Sequence, residues 1–341
     1  MNMQSLNAAA PVATDIALTP STATRIKRLL ASGAGIIAIL YIILYFLYSL
    51  WDPSALTADT VLNLTNNAAP LAMAAAGETL VVLSRGFDLS VAGVISLTNV
   101  IMAAYPLEGP LGALQSLLIC LAIGGVVGIV NGYLVAVLRL QSIAATLGTM
   151  IICQGLALVV LDAPGGTVAD FVTYDLTDVV FGVVPITGLF VAAVVVLWLI
   201  CRCTNFGVAL YVVGADETAA NLSGISVVRT RFLAFVGAGM LYGLSGFMLS
   251  AQTATGNPNG GASFLMLTFA AVALGGTSLS GGRGGLVGSI IGAATLMLLQ
   301  KVLFAGGVSS FYTGIFQGVM LVLAVVFGAV VTHVFDRRSA S

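Results

Sequence analysis

Charged side chains are scarce in this chain of 341 residues: they make up 7% of it, whereas 59% of the residues are hydrophobic. A soluble globular domain carries about 25% charged residues. So few charges exclude an ordinary water-exposed surface, and most of the chain must face lipid or pack inside a membrane bundle. The net charge of −1 gives no overall basic field that would attract nucleic acid.

Lysine and histidine are also rare, and their scarcity excludes several kinds of catalytic site. The nucleotide-binding pattern G-x-x-x-x-G-K-[ST] needs a lysine after glycine, and neither Lys27 nor Lys301 follows one. The single histidine, His333, lies near the C-terminus, and the sequence contains no His, Cys and carboxylate cluster with metal-site spacing. We therefore predict a chain that is not an enzyme and that holds no metal and no cofactor.

Long apolar runs fill the remainder of the sequence. A helix that crosses a bilayer needs about 20 mostly apolar residues. The pattern predicts an all-α integral membrane protein with about ten transmembrane helices, at 33–50, 61–83, 89–105, 111–130, 142–161, 181–200, 231–252, 262–279, 285–304 and 311–333. The first run is longer than a signal-peptide core and lacks a clear cleavage site, so we interpret it as a retained helix.

The distribution of charge predicts the domain organisation and the orientation. A polar tail at 1–32 precedes a membrane domain at 33–335, and a short tail follows at 336–341. If ten helices alternate from a cytoplasmic N-terminus, eleven of the twelve basic residues fall on the cytoplasmic side, with Lys301 as the exception. This asymmetry follows the positive-inside rule and places both termini in the cytoplasm.

Polar side chains inside the apolar runs are the candidates for a solute path. An intramembrane carboxylate is costly and usually faces the bundle interior or a watery cavity. Glu78 is therefore either a path residue or a structural carboxylate, and it can share a helix face with Arg85, seven residues later. Neutral amides bind hydroxyl-rich solutes but also join helices. The path or gate candidates are Glu78, Asp88, Asn67, Gln154 and Gln252.

Pairs of glycines spaced four residues apart recur along the chain. They are Gly124/Gly128, Gly239/Gly243 and Gly288/Gly292. This spacing lets two helix backbones approach closely, either inside the bundle or at a subunit interface.

The polar connection after the sixth predicted helix contains a short helix signal. Asp216 can cap a helix that runs from Glu217 to Leu222, and Gly224 can end it. A short amphipathic helix at the cytoplasmic face is either a knob for a soluble partner or a simple connector.

Four stretches of the sequence resemble one family of transport proteins. They are Gly86–Val91 (GFDLSV), Asn131–Arg139 continuing to Ala145–Met150, the connection that ends Leu222-Ser-Gly-Ile225, and Leu274–Gly284 (LGGTSLSGGRG). In these stretches the chain resembles the ribose/xylose/galactose-type ABC permeases, the membrane subunits of binding-protein-dependent monosaccharide importers. The similarity runs from about residue 61 to about residue 328.

The resemblance implies a division of labour in a bacterial inner membrane. Two permease copies, identical or different, form a path through the lipid, while separate ATPase subunits bind below and use the ATP. A periplasmic solute-binding protein delivers the solute. The connection at 214–225 resembles the family's coupling element to the ATPase, which implies that role for Asp216, Glu217, Ala219, Ala220 and Gly224.

Some positions depart from the family's pattern and leave the solute open. Arg85 stands where these permeases commonly have Gly, Glu78 where an apolar residue is common, and Gln141-Ser142 replaces a pair that contains proline. A pentose, a hexose, a polyol, an autoinducer-like sugar and a nucleoside all fit the sequence. Two alternatives to an importer permease are an ion-coupled secondary transporter with Glu78 as its proton carrier and a membrane scaffold without transport.

Overall fold

The fold is taken from a computed structural model of the protein, which describes residues 33–182, 184–309, 312, 314–323 and 326. The predicted tails at 1–32 and 336–341, part of the predicted helix at 311–333, and His333 lie outside these residues. The described residues are mostly helical, which confirms the predicted class at that level.

Helices follow one another along the chain with short connections. They are α1 (Gly33–Trp51), α2 (Ala58–Leu83), α3 (Val91–Ala104), α4 (Gly109–Gly132), α5 (Ser142–Val160), α6 (Ile186–Arg202), α7 (Asn205–Ala215), α8 (Glu217–Leu222), α9 (Val227–Thr253), α10 (Ala262–Leu274), α11 (Leu286–Ala305) and α12 (Gly314–Leu323). A 3-10 turn at Pro53–Leu56 precedes α2, and π-helical turns lie at Tyr133–Val137 and Phe171–Asp175. Strands β1 (Val179–Val180) and β2 (Val184–Pro185) pair antiparallel, with Val180 opposite Val184.

Five helices among the described residues are long and apolar enough to cross a membrane. They are α1, α4 with its π turn, α5, α9 and α11, and the pair α6 and α7, bent by 78°, makes a sixth if it is counted as one span. Helices α3 and α10 have 14 and 13 residues, or about 20 Å at 1.5 Å per residue. They are shorter than a hydrocarbon core of about 30 Å, so ten transmembrane helices remain a prediction.

Helix α2 occupies the centre of the bundle. Every residue from Ala69 to Leu83 is buried, and α2 packs against α9 on one side and α11 on another. Its 26 residues include Asp59, Glu78 and three asparagines, so its sequence is too polar to meet the hydropathy expected of a lipid-facing span. Within the buried stretch, neighbouring groups provide Glu78 with hydrogen-bond partners that lipid lacks.

Glycines bring α4 and α9 into backbone contact. A Cβ atom on Gly124 would lie 2.0 Å from the carbonyl oxygen of Gly239, and one on Gly243 would lie 2.1 Å from that of Cys120. The pairs Gly124/Gly128 and Gly239/Gly243 therefore face each other inside one chain. This confirms the reading of these glycines as close packing within the bundle.

The connections around α6 differ from the prediction at both ends. The predicted run at 181–200 begins too early, because Phe181 lies in the left-handed region and Val184–Pro185 forms β2, so the helix starts at Ile186. The connection at 201–230 contains an additional helix, α7, with Thr204 as its capping residue. Helix α7 is apolar, as α6 is, and two residues and a bend of 78° separate the two helices.

Candidate functional site: a polar seam between two central helices

The short helix α8 has the local structure that its sequence predicted. Asp216 Oδ1 accepts hydrogen bonds from two backbone N–H groups of the first turn, at 2.8 and 3.0 Å. Gly224 ends the helix with a φ of 77°, and the N–H of Ile225 donates to the carbonyl of Ala220 at 3.0 Å, as in a Schellman motif. Ala220 is buried whereas Leu222 is 86% exposed. The helix is a capped knob with an apolar tip.

An ion pair fastens this knob to the centre of the bundle. Glu217 Oε2 lies 2.9 Å from Arg231 at the start of α9. The Nε of Arg231 also donates to the carbonyl of Ser84, the C-cap of α2, at 3.2 Å. An exposed ion pair by itself contributes only about 0–1 kcal/mol, but Arg231 here joins three elements. Arg231 therefore connects α8 to the end of α2 by direct contacts.

Two buried carboxylates lie further along α2 and just beyond it. The hydroxyl of Tyr242 donates to Glu78 Oε2 at 2.7 Å, and the backbone N–H of Asp88 donates to Glu78 Oε1 at 3.2 Å. Glu78, Asp88 and Tyr242 are all fully buried. Glu78 thus joins α2 to α9 and to the turn that follows α2.

The turn that contains Asp88 is held by side chains from α4 and α5. Asp88 Oδ1 accepts from the hydroxyl of Ser90 at 2.6 Å, and Asn131 Nδ2 donates to that same hydroxyl at 2.9 Å. The hydroxyl of Thr149 then donates to Asn131 Oδ1 at 2.7 Å, and the N–H of Leu89 donates to Thr146 at 2.9 Å. The first stretch that carried the family resemblance and both parts of the second therefore form one buried network.

One oxygen of this network lacks a partner. Asp88 Oδ2 is buried and accepts no hydrogen bond from the residues that the structure describes. A buried polar atom without a partner is costly. The position beside Asp88 Oδ2 therefore favours a proton or a polar group that arrives from outside the network.

Polar contacts recur at intervals along the boundary between α2 and α9. Near the other end of α2, Gln252 Nε2 donates to Asn67 Oδ1, and the hydroxyl of Ser245 donates to the carbonyl of Pro70 at 2.6 Å. With Tyr242–Glu78 and Arg231–Ser84, these contacts form what we call the α2–α9 seam. Arg231, Tyr242, Ser245 and Gln252 share one face of α9, because their spacings of 11, 3 and 7 residues are close to whole helical turns.

The five candidate path residues thus fall in three places. Glu78 and Asp88 are in direct contact in the buried network, whereas Asn67 and Gln252 pair at the far end of the seam. Gln154 is separate from both, and its Nε2 donates to Asn259 Oδ1 at 3.0 Å. The structure therefore brings together two pairs, and within the described part of the chain no side-chain hydrogen bond joins Gln154 to either pair.

A glycine-rich turn closes the bundle at the α8 end. The N–H of Gly282 donates to the carbonyl of Leu83 at 3.1 Å, and a Cβ on Gly214 would lie 1.8 Å from that same oxygen. Beneath this turn, the hydroxyl of Thr79 donates to that of Ser289 at 2.7 Å. The fourth family-like stretch therefore packs against the end of α2 and against Gly214, which precedes α8 by three positions.

Arg85 does not lie where the sequence placed it relative to Glu78. Helix α2 ends at Leu83, and Arg85 follows in the left-handed region with a φ of 68°. Arg85 is exposed whereas Glu78 is buried, so the expectation of a shared helix face is wrong. The reversal of the chain after Leu83 turns Arg85 away.

Two members of the network were missed by sequence reasoning as functional candidates. Tyr242 lies eleven residues after Arg231 on the same face of α9, but aromatic residues in apolar helices are usually packing residues. Asn131 begins a family-like stretch at the end of α4, and its burial was the missing information. A periodicity search along α9 for polar side chains could have found Tyr242.

Sequence comparisons agree with this geometry. Residues 60–325 match a family described as the permease component of the branched-chain amino acid transport system. The chain belongs to this permease family. The ribose import permease protein RbsC of Bacillus subtilis is 36% identical over 288 residues, which cover 83% of this chain and 88% of that protein. RbsC of Escherichia coli is 33% identical over 306 residues, 88% and 94% of the two chains.

A third relative covers still more of the chain. The probable ABC transporter permease protein YphD of Escherichia coli is 31% identical over 325 residues, which cover 94% of this chain and 97% of that protein. No solved structure matches the fold. The resemblance to sugar-type ABC permeases is confirmed, while the family description and the names of the relatives point to different solutes.

Proposed function

We propose that this chain is the transmembrane subunit of an ABC importer that moves a monosaccharide or a similar polar solute through a bacterial inner membrane. A separate ATPase subunit supplies the energy. The observation on which the proposal chiefly rests is the capped knob α8 and its contact through Arg231 with the α2–α9 seam. An ATPase that pushed or turned α8 would act directly on the seam.

The proposed topology has ten membrane crossings and both termini in the cytoplasm. The shorter helices α3 and α10 would complete their crossings with non-helical segments that are buried in the bundle, where broken helices are tolerated. Segments predicted as cytoplasmic do lie together: Arg231 contacts Ser84 and Glu217, and Gly282 contacts Leu83. This grouping supports the proposed sidedness.

The proposed solute path uses the polar pairs of the seam. Asn67 and Gln252 offer neutral donors and acceptors at one end, as a hydroxyl-rich solute requires, and the named ribose permeases among the relatives support a sugar. The Glu78–Asp88 network, nearer to α8, would serve as the gate. A second permease copy, identical or different, would complete the path, and a periplasmic binding protein would deliver the solute.

The decisive test is coupled transport in proteoliposomes. Reconstitution with an ATPase subunit and a binding protein should give uptake of labelled sugar that requires ATP. E217A should reduce uptake severalfold while ATP hydrolysis continues, because Glu217 holds the knob. T218A, an exposed position on the same helix, is the matched control. Normal coupling in E217A, or a chain that never associates with an ATPase subunit, would contradict the proposal.

An ion-coupled secondary transporter is the second candidate, and the unpartnered oxygen of Asp88 beside Glu78 favours it. In that case uptake would proceed without ATPase subunits. It would stop when a protonophore collapses the proton gradient, and E78Q would abolish it. ATP-driven uptake that persists with the protonophore at constant ATP excludes this candidate.

A further inference from the structure

A cavity of about 320 Å³ opens beside α8, near the lower end of the range for ligand pockets of roughly 300–1,000 Å³. Its wall includes Arg85, Arg139, Arg231 and one carboxylate, Glu217. Three positive charges and one negative charge leave the wall with a net charge of +2. Since Arg231 is already paired with Glu217, the excess positive charge belongs to Arg85 and Arg139.

Both of these arginines have an unusual backbone conformation. Arg85 has a φ of 68° and Arg139 a φ of 57°, in the left-handed region that is disfavoured for residues with a Cβ. They end different helices, since Arg85 follows α2 and Arg139 follows the π turn after α4. Two strained arginines that meet at one cavity indicate that their side chains are needed there, because glycine would fit both backbones without strain.

Exposed apolar side chains lie next to the lining residues Arg139 and Ser142 along the chain. Leu138 and Leu140, on either side of Arg139, are 50% and 49% exposed. The exposed face of α5 continues from this point with Ile143, Leu147 and Ile151. A ligand with a negatively charged head and a hydrocarbon tail would find a charged cavity and an adjoining apolar surface.

We propose that the arginine cavity binds the phosphate headgroup of an anionic phospholipid of the cytoplasmic leaflet, with the acyl chains along α5. Basic pockets between transmembrane helices at this face are suited to such headgroups, and guanidinium groups bind phosphate through paired N–H donors. The assignment to the cytoplasmic leaflet rests on the orientation proposed above. The headgroup would lie against the Glu217–Arg231 pair that holds α8.

Lipid binding by the purified full chain tests this proposal without any transport assay. Dioleoylphosphatidylglycerol, titrated into the detergent-solubilised protein and counted by native mass spectrometry, should bind more tightly than dioleoylphosphatidylcholine. Each arginine near an anionic surface changes affinity by about fivefold, so R85G/R139G should bind the anionic lipid about thirtyfold more weakly. Glycine relieves the backbone strain at both positions, so this variant should fold. R85K/R139K keeps the charges but loses the paired donors, so it should bind the anionic lipid more tightly than R85G/R139G and more weakly than the unchanged protein.

The matched control is R229A, which removes an exposed arginine on α9 that lines a different cavity, and it should bind as the unchanged protein does. Equal binding of the two lipids, or full binding by R85G/R139G, overturns the proposal. So does displacement of the lipid by inorganic phosphate at equal concentration, which would indicate a site for free anions. If R85G/R139G loses association with the ATPase subunit but binds the anionic lipid as before, the cavity is a protein contact and the proposal is overturned. A failure of sugar uptake in proteoliposomes would not affect these results, because lipid binding is measured without transport.

Discussion

Helices α2 and α5 reverse the usual relation between polarity and burial. Helix α2 contains the carboxylate Glu78, yet every residue from Ala69 to Leu83, Glu78 included, is buried. Helix α5 is far more apolar, yet only Thr146, Thr149, Cys153 and Ala157 are buried along it. In water, apolar residues leave the solvent, whereas in a bilayer the apolar helix can face the lipid and the polar helix needs partners. The comparison indicates that a buried carboxylate such as Glu78 identifies the central helix of this molecule, whereas high mean hydropathy identifies a helix at its surface.

The largest effect should come from adding the same side chain to a glycine in each helix. A Cβ on Gly77 in α2 would lie 2.7 Å from the ring of Tyr242 and 2.9 Å from the carbonyl of Ala238, whereas nothing lies within 4 Å of a Cβ on Gly155 in α5. G77L should therefore destabilise the fold by about 3 kcal/mol or more, while G155L should leave it nearly unchanged. Thermal unfolding in detergent, followed by size-exclusion chromatography, measures both.

A monodisperse, stable G77L protein would contradict the placement of α2 at the centre. If G155L instead folds but loses self-association, the exposed face of α5 is covered by a second copy of the chain, which would sharpen the comparison.

A smaller effect should follow from changing the buried carboxylate of α2. E78L leaves the hydroxyl of Tyr242 and the N–H of Asp88 without their acceptor, and each unsatisfied buried donor costs about 1–3 kcal/mol. The free energy of unfolding should fall by about 2–4 kcal/mol in E78L and by less in E78Q, which keeps an acceptor.

Tyr242 provides the matched control for that change. Y242F alone should be mildly destabilising, and E78L/Y242F should lose less stability than the sum of the two single variants, since both partners of one hydrogen bond are then absent. Strict additivity in this double-mutant cycle, measured by thermal or chemical unfolding, would show that the Tyr242–Glu78 contact does not stabilise the fold.

The smallest effect should be a gain of stability in α5. Nothing lies within 4 Å of a Cβ built on Gly148, and glycine inside a helix is less favourable than alanine by about 0.5–1 kcal/mol. G148A should therefore raise the unfolding temperature slightly. G237A is the comparison in α9, where the added methyl group would touch Leu80 of α2 at 3.1 Å, and it should gain less. A lower unfolding temperature for G148A than for G237A would contradict an open α5 face.

Some features of the candidate site could be predicted from the sequence, and others could not. The capped helix from Glu217 to Leu222 was predictable because Asp216 and Gly224 act on their own neighbours along the chain. The contact between Glu78 and Tyr242 was not predictable, because 164 residues separate them. Helix α7 was also missed, because Arg202, Thr204 and Asn205 interrupt the apolar pattern before it.

The sequence by itself determined the membrane character, the helical class, the capped knob and the family, because composition, local hydrogen bonds and short motifs act over a few residues. Only the tertiary structure decided that α2 lies at the centre, that Glu78 meets Tyr242 and Asp88, and that Arg85 and Arg139 share a cavity. Those relations depend on close helix packing through glycines far apart in the chain, such as Gly124 against Gly239, and no local pattern specifies which faces meet.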